Sequence, residues 1–253
     1  MRSTMRRILR KALKICVPIA AYIVIWELLS IAVGSSLLLP SPKETIEASI
    51  SVLGSADGWR SIGSTLLRIM IGYLCGCAAG IALAVLTSRF QTADWLLKPL
   101  RSLIKTTPIT SFALILLVSI ASGSVPPVVA MIVVTPMIWQ TTEEAIRSRS
   151  RQLEEMSKIY LKFWKKLRYV TLPQILPRFF ATASIALGFA WKAVITAEIL
   201  ALPKLGIGKQ MHNDKVYLET PELFAWTLIV ILLSVLIETG IRTLLKKAGE
   251  RYD

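Results

Sequence analysis

Apolar residues along this chain gather in blocks of about twenty, the length of helix that crosses a bilayer. The first runs from Cys16 to Ser36 (16–36) and carries one charge, Glu27. The second, Ile69 to Ser88 (69–88), carries none. From Thr106 to Thr142 there are 37 residues without a charged side chain. As one helix they would reach about 55 Å, against a hydrocarbon core of about 30 Å. The run Ser122-Gly123-Ser124-Val125-Pro126-Pro127 divides them, because glycine and proline punctuate helices. This predicts spans at 106–122 and 126–142 joined by a very short turn. A fifth block at 180–201 holds Lys192 and Glu198, and a sixth at 223–243 holds Glu238. Lipid requires backbone groups to be bonded within the segment, and the chain lacks the ten-residue alternation of a barrel. The expected fold is all-α: a polytopic membrane protein whose six transmembrane helices form a single domain over 16–245. A basic N-terminus (1–15) precedes it and a short tail (246–253) follows.

Composition agrees. The chain is 54% hydrophobic and 18% charged, with a mean hydropathy of +0.58, where a soluble domain carries about 25% charged residues. That argues against a water-soluble enzyme and against a disordered chain. The net charge of +14 would suggest nucleic acid in a soluble protein. Here the basic residues flank the apolar blocks without an aromatic stacking platform, so no nucleic-acid partner is expected. Instead they set orientation. Of the 30 Lys and Arg residues, 23 lie on the side that carries the N-terminus, Arg89 to Lys105, Arg147 to Arg178 and the C-terminal tail. The positive-inside rule predicts both termini on the cytoplasmic side of a plasma membrane. The N-terminal run of Arg2, Arg6, Arg7, Arg10, Lys11 and Lys14 before an apolar stretch resembles a signal peptide. The length of that stretch and the spans that follow favour a retained first helix. Cys16, Cys75 and Cys77 make no CxxC pair and no zinc spacing, and read as small buried apolar residues.

The largest cytoplasmic piece is the loop 147–178. Leu153, Met156, Ile159, Tyr160, Phe163 and Leu167 recur every three or four residues, the spacing of an amphipathic helix. Pro173 and Pro177 favour a break before the fifth span. Spacing alone leaves two readings: a helix lying on membrane lipid, its Lys and Arg meeting anionic headgroups, or a docking helix for a cytoplasmic partner.

Glu154-Glu155-Met156, then Tyr160, then Val170-Thr171-Leu172-Pro173 resembles the "EAA" loop of ABC-transporter permease subunits. Two alanines of that pattern are replaced here by Glu155 and Met156, and its glycine by Tyr160. Leu39-Pro40-Ser41-Pro42, Ser64-Thr65-Leu66-Leu67-Arg68 with Gly72, Pro108, Trp191, Ala197-Glu198 and Gly206-Ile207-Gly208 fit in order. Together they are similar to the nitrate/sulfonate/taurine-type permeases. The resemblance implies a permease subunit of an ATP-driven importer that moves a small, anionic solute by alternating access. It implies as partners a cytoplasmic ABC ATPase dimer, a second permease subunit (a homodimer) and an extracytoplasmic substrate-binding protein. It also implies that 154–166 is the coupling helix between helices 4 and 5, with Glu154, Glu155, Met156, Ile159, Tyr160, Phe163, Leu172 and Pro173 as ATPase-coupling residues. On that reading Glu154, Lys158 and Lys162 make rim pairs with the partner.

Three intramembrane features carry candidate roles. Gly72, Gly76 and Gly80 repeat every four residues and permit close helix packing, within one subunit or between two. Lys192 and Glu27 sit at mid-depth, where a charge by default suggests function; either they pair, or Lys192 faces the pathway and attracts an anion. Glu198, six residues from Lys192 and so about 240° round the helix, does not share its face. It reads as a carboxylate snorkelling to a loop partner. Glu238 and Arg242 read as an interfacial pair. His212, in the outer loop with Asp214, is the only histidine, so neither a Ser-His-Asp triad nor a His-rich metal site is available. No Gly-x-x-x-x-Gly-Lys-Ser/Thr is present, so ATP hydrolysis is expected in a partner, and no catalytic residue, metal or cofactor is expected in this chain. An ion-coupled secondary transporter using Glu27, Lys192 and Glu198 is the alternative, weakened by the lack of an evident inverted repeat. A Ser/Lys intramembrane peptidase would need Ser184 or Ser234 within hydrogen-bond reach of Lys192, and the Ser184 pair fails because it lies about 12 Å along the helix.

Overall fold

The computed structural model describes the backbone of residues 2–249 and the side chains of residues 17–240. The basic N-terminal side chains, Cys16, Arg242 and the tail side chains lie outside the described residues. Every regular element among those described is a helix. Four helices are long and apolar enough to cross a membrane: Ala56–Arg89, Val125–Arg147, Phe163–Ala201 and Thr220–Gly240. A bent pair, Gln91–Thr106 with Ile109–Ser119, passes the same test only when both halves are counted together, and the apolar stretch Val17–Val33 is shorter. The chain divides into two compact units, one of residues up to Trp59 with Gln210–Val230, the other of Arg60–Lys209 with the chain from Ile231 onward.

In the first unit, α1 (Arg2–Val33) ends where Gly34 takes φ +66°, a left-handed conformation open to glycine, and returns its N–H to Ser30 O at 3.0 Å. The chain then turns into α2 (Pro42–Gly54) through a capping box. Ser41 Oγ accepts from the Glu44 N–H, and the Ser41 N–H donates to Glu44 Oε2 at 2.8 Å, with Pro42 in the first turn. These donors, with the Ser36 hydroxyl, hold the Glu44 carboxyl below its usual range. Side chains of α1 secure the turn: Trp26 Nε1 donates to Pro40 O and Ser30 Oγ to Leu39 O, both at 3.0 Å.

The second unit is built on three long helices and one short one. These are α3 (Ala56–Arg89), α5 (Ile109–Ser119), α6 (Val125–Arg147) and α9 (Leu172–Ala201). Lipid supplies no hydrophobic drive between helices, so close contact depends on small residues. Along α9, Ala183, Ala186, Ala190, Ala193, Ala197 and Ala201 are all buried, and α6 answers with buried Val125, Val129, Val134 and Ile138. The α3 glycines serve the same end. A Cβ on Gly72 would strike the Pro127 carbonyl oxygen, one on Gly76 would lie 2.7 Å from Val134 Cβ, and one on Gly80 2.8 Å from Ile138 Cβ. This stripe therefore lies against α6 of the same chain. Cys77 is buried, but Cys75 is exposed, contrary to the expectation that the cysteines are buried.

Two boundaries differ from the sequence expectation. The block 106–122 does not form one full span. Its helix α5 has only 11 residues, about 16 Å. It is entered through Thr107-Pro108 from α4 (Gln91–Thr106) at a bend of 102°. Proline at 108 cannot donate to the helix and pushes Thr107 into extended backbone. Nor do Pro173 and Pro177 break the chain. α7 (Arg151–Tyr160) ends at Leu161-Lys162, and a continuous helix then runs from Phe163 to Ala201. It comprises the short α8 (Phe163–Lys166), a π-turn over Leu167–Thr171 and α9. In the wider turn the Leu172 N–H reaches back to Leu167 O. Pro173 then sits in the first turn of α9, where its missing N–H is not needed.

Gly72→Ala is expected to lower the apparent melting temperature in detergent, by the equivalent of about 1–3 kcal/mol, because backbone must move to admit the methyl group. Gly63→Ala, whose Cβ would meet nothing within 4 Å, is expected to be neutral or to stabilise by up to about 1 kcal/mol. Equal effects of the two would contradict the packing described.

Candidate functional site

Glu198 is 0% exposed near the end of α9, where that helix meets α3. A bare carboxylate there would be costly, yet each of its oxygens has donors. Arg68 Nη1 donates to Oε1 at 2.6 Å, and the Gly208 N–H donates to Oε2 at 3.0 Å. The Thr65 hydroxyl lies 3.1 Å from Oε1 and 2.9 Å from Oε2, and itself accepts from the Ile207 N–H at 2.9 Å. Arg68 also donates to Leu205 O at 2.6 Å. The loop can approach because it has glycines. A Cβ on Gly206 would lie 2.7 Å from the Glu198 carboxyl carbon, and one on Gly208 2.6 Å from Glu198 Cβ. Three separate motifs of the sequence, Ser64 to Arg68, Ala197-Glu198 and Gly206 to Gly208, thus meet at one carboxylate. Glu198 has its loop partner but does not snorkel, and it is withdrawn from any solute-facing surface. Arg68 is its ion-pair partner.

The other sequence-selected charges are placed differently. Lys192 is exposed on α9, in a stripe with Ala181, Ile185 and Phe189 at spacings of three and four. Its ammonium lies 6.0 Å from the centre of the Phe189 ring. Within its own unit Lys192 makes no ion pair among the described residues. Glu27 is exposed on α1, in the other unit.

At the basic end of this unit α7 is capped by Ser150, whose hydroxyl accepts from the Leu153 N–H. Of its ten residues only Ser157 is buried. Met156, Ile159 and Tyr160 are 59%, 77% and 78% exposed, and Phe163 and Trp164 beyond it are exposed also. Glu155 bonds Arg151 on the surface. Glu154, expected at a partner's rim, instead faces its own chain and pairs with Arg149 at 3.1 Å and Lys166 at 3.6 Å. Further ties come from Gln174, whose Oε1 accepts from the Ser150 N–H, and from Arg178, which donates to Ser148 Oγ. Leu172 and Pro173 lie half-buried in the first turn of α9, apart from the exposed face. α7 is thus strapped to the ends of α6 and α9 with its apolar side outward.

A fourth cluster escaped the sequence reading. Glu143, nearly buried on α6, bonds Arg101 of α4 and Arg147 one turn on, and Arg147 also meets Asp94 of α4 at 2.8 Å. Arg101 lies over the Trp139 ring at 4.9 Å. Its only trace in the sequence is a Glu and an Arg four apart at the end of a span. Among the described residues no three His, Cys, Asp or Glu side chains gather as a metal site.

The model of the family described as binding-protein-dependent transport system inner membrane component matches residues 72–248. The chain belongs to that family. It is 22% identical over 234 residues to the taurine transport system permease protein TauC of Escherichia coli, covering 88% of this chain and 83% of the relative. It is 26% identical over 212 residues to the nitrate import permease protein NrtB of Synechocystis, covering 78% and 75%. Among solved structures, a chain of the MetNI methionine ABC transporter in inward-facing conformations superposes with a TM-score of 0.56 at 16% identity, covering 75% of this chain and 93% of that one. An amino acid ABC transporter gives 0.57 at 16% identity, covering 74% and 90%. The fold is therefore that of ABC permeases, and the chain is an inner-membrane transport component. The matched segment contains the glycine stripe, α7 and Glu198.

On the other side of the knot the chain continues as α10 (Ile207–Tyr217), so His212 stands half-buried on a helix and not in an open loop. Asp214 of the same helix is buried with Oδ2 unpartnered. Burial, reinforced by Glu219 and Glu222, pushes its carboxyl up from 3.8 to about 7.

Two outcomes follow. Glu198→Ala leaves the Arg68 guanidinium without its carboxylate and is expected to cost about 3–5 kcal/mol. Gly206→Ala is expected to be destabilising alone and less so in the Glu198→Ala background, and strict additivity of the two melting-point losses would contradict the contact. For Asp214, the unfolded chain releases its proton near pH 4 while the folded chain holds it to about 7. Stability should thus fall as pH rises through that window. Asp214→Asn should flatten that slope and melt higher than the parent above pH 7; an unchanged slope would refute the assignment.

Proposed function

We propose that this chain is the transmembrane permease subunit of an ATP-driven importer for a small anionic solute, working as a homodimer with a cytoplasmic ABC ATPase dimer and an extracytoplasmic substrate-binding protein. The observation that carries the reading is α7, an amphipathic helix held rigidly to two membrane helices and presenting Met156, Ile159, Tyr160 and Phe163 to the basic side. In a binding-protein-dependent permease such a helix is the coupling helix. An ATPase that closes on ATP binding moves it, and the straps pass the motion to α6 and α9. That shift requires the ATPase to bind the two states of the permease differently. The charge count places α7 and both termini in the cytoplasm. The four long helices, the bent pair α4–α5 and α1 then make six crossings.

The relatives are named for taurine, aliphatic sulfonates, nitrate and bicarbonate, solutes that share an anionic group. The stripe of α9 that carries Lys192 is the surface on which a second copy and the pathway are placed, one ammonium from each copy drawing the anion inward. ATP hydrolysis belongs to the partner.

The decisive measurement is affinity purification of the tagged chain from native membranes in mild detergent, with its partners identified by mass spectrometry. An ABC ATPase is expected at near-equal amount. Ile159→Asp should remove it and reduce ATP-dependent uptake at least tenfold without changing the melting temperature. Lys192→Ala should keep the ATPase bound and lose uptake. A chain that purifies without an ATPase even after crosslinking, and still transports, would overturn the importer reading in favour of an ion-coupled secondary transporter.

A further inference from the structure

A cavity of about 500 Å³ lies where three elements of the second unit meet: the last turns of α3, the last turns of α6, and the π-turn with the start of α9. Most of its wall is apolar, formed by Ile81, Val85, Ile146, Leu172, Ile175 and Phe179. Its polar lining includes Arg89, Thr142 and Arg149. Two of these groups are not accounted for by the chain's own contacts. Thr142 is buried, yet its hydroxyl has no hydrogen-bond partner among the described residues. Helical threonines elsewhere in the chain, Thr87 and Thr135, return theirs to the carbonyl four residues back. A buried hydroxyl left unpaired costs about 1–3 kcal/mol. Arg89, exposed at the end of the second apolar block, makes no hydrogen bond or ion pair among the described residues. Arg149 is already matched by Glu154, and Arg147 by Asp94 and Glu143. Of these three arginines Arg89 is therefore the one with no counter-charge among the described residues.

We propose that this cavity holds one anionic phospholipid. The acyl chain lies against the apolar wall, an ester or phosphate oxygen accepts from the Thr142 hydroxyl, and the phosphate meets Arg89. The polarity profile supports a lipid over a free anion. The apolar wall is carried by the ends of three helices long and apolar enough to cross a membrane, Ala56–Arg89, Val125–Arg147 and Phe163–Ala201, the cation stands where the first of these ends, and the volume is that of sites that hold a small molecule. An inorganic anion would satisfy Arg89 and leave the apolar wall uncovered. The occupant would brace the π-turn, and with it the base of α7, against α3 and α6. The inference does not depend on which solute is carried.

The test is native mass spectrometry of the complex purified with its partners, stripped of lipid by detergent exchange, then exposed to micelles doped with phosphatidylglycerol or phosphatidylcholine. One phosphatidylglycerol per permease is expected to be retained in preference to phosphatidylcholine. Arg89→Gln should cut the preference about fivefold, the worth of one cation beside an anionic headgroup. Val85→Phe should fill the cavity and release the bound lipid whatever its headgroup. Both residues are exposed, so the melting temperature without added lipid should stay at that of the parent. Equal retention of the two lipids, or retention unchanged by Val85→Phe, would overturn the proposal. So would displacement by glycerol phosphate at the same concentration, which would mark a site for soluble anions. A photocrosslinker at Ile175 that captures a second copy of the chain in place of lipid would assign the cavity to a subunit contact and overturn it equally.

Discussion

The buried carboxylate of Glu198 imposes its geometry on everything around it. A charge sealed between helices must be met by donors on both oxygens, and the donors come from two parts of the chain: Thr65 and Arg68 on α3, and the backbone N–H of Gly208. Thr65 holds its hydroxyl ready by accepting from Ile207, and Arg68 extends the knot to Leu205. The loop must run within contact of the carboxylate, which leaves no room for a side chain at 206 or 208. The turn between α9 and α10 is therefore part of the packed core although it lies between helices.

The same economy of side-chain volume governs the helices. α6 is buried along much of its length because α9 offers it alanine at nearly every facing position and α3 offers glycine. Small residues let backbones approach, and dispersion over the long contact replaces a hydrophobic drive that lipid does not supply. A core packed this closely responds to force as a body. At its basic end the straps from Glu154, Ser150 and Ser148 fix α7 to α6 and α9, so displacement of the exposed helix has no slack to be lost in. The π-turn at Leu167–Thr171 is the one irregular turn on that route. It allows the chain to pass from α8 through Leu172-Pro173 into α9 without a break.

Much of this was legible from composition alone. Charge-free blocks located the long helices, the serine-glycine-proline run located the turn before α6, and the four-residue glycine repeat marked a contact face. What composition could not show was length within a block. Residues 106–122 are apolar throughout, yet Thr107-Pro108 leaves a helix of 11 residues behind a 102° bend. α2 went unread although Ser41 and Glu44 carry the capping-box spacing, because its 13 residues, with Lys43, Glu44 and Glu47 among them, are too short and too charged to register as a span. The ion-pair lattice of Asp94, Arg101, Glu143 and Arg147 joins α4 to α6 across some forty residues of sequence, and no periodicity records such a pairing. Glu154 kept its place in the motif but not its expected direction: Arg149 and Lys166 claim it. A spacing specifies a face of a helix; which neighbours reach that face is a property of the fold.

Lys192 and Glu198 make the sharpest contrast, because both lie on α9 and differ mainly in rotation, by about 240°. The face of Glu198 turns into the protein and is answered by three donors, on Thr65, Arg68 and Gly208. The face of Lys192 turns outward with Ile185 and Phe189, and its own unit offers it only an aromatic ring at 6.0 Å. An ammonium held at membrane depth must be met by water, by a counter-charge or by an anion. A chain that neutralised one intramembrane charge so completely and left the other uncovered has assigned the second to an interaction outside that unit. The pathway reading of Lys192 rests on this asymmetry. It also explains why the two charges could not exchange roles. A lysine on the buried face of Glu198 would set a second cation against Arg68, and on the proposed reading a glutamate in the exposed stripe would repel the anion that the lysine attracts.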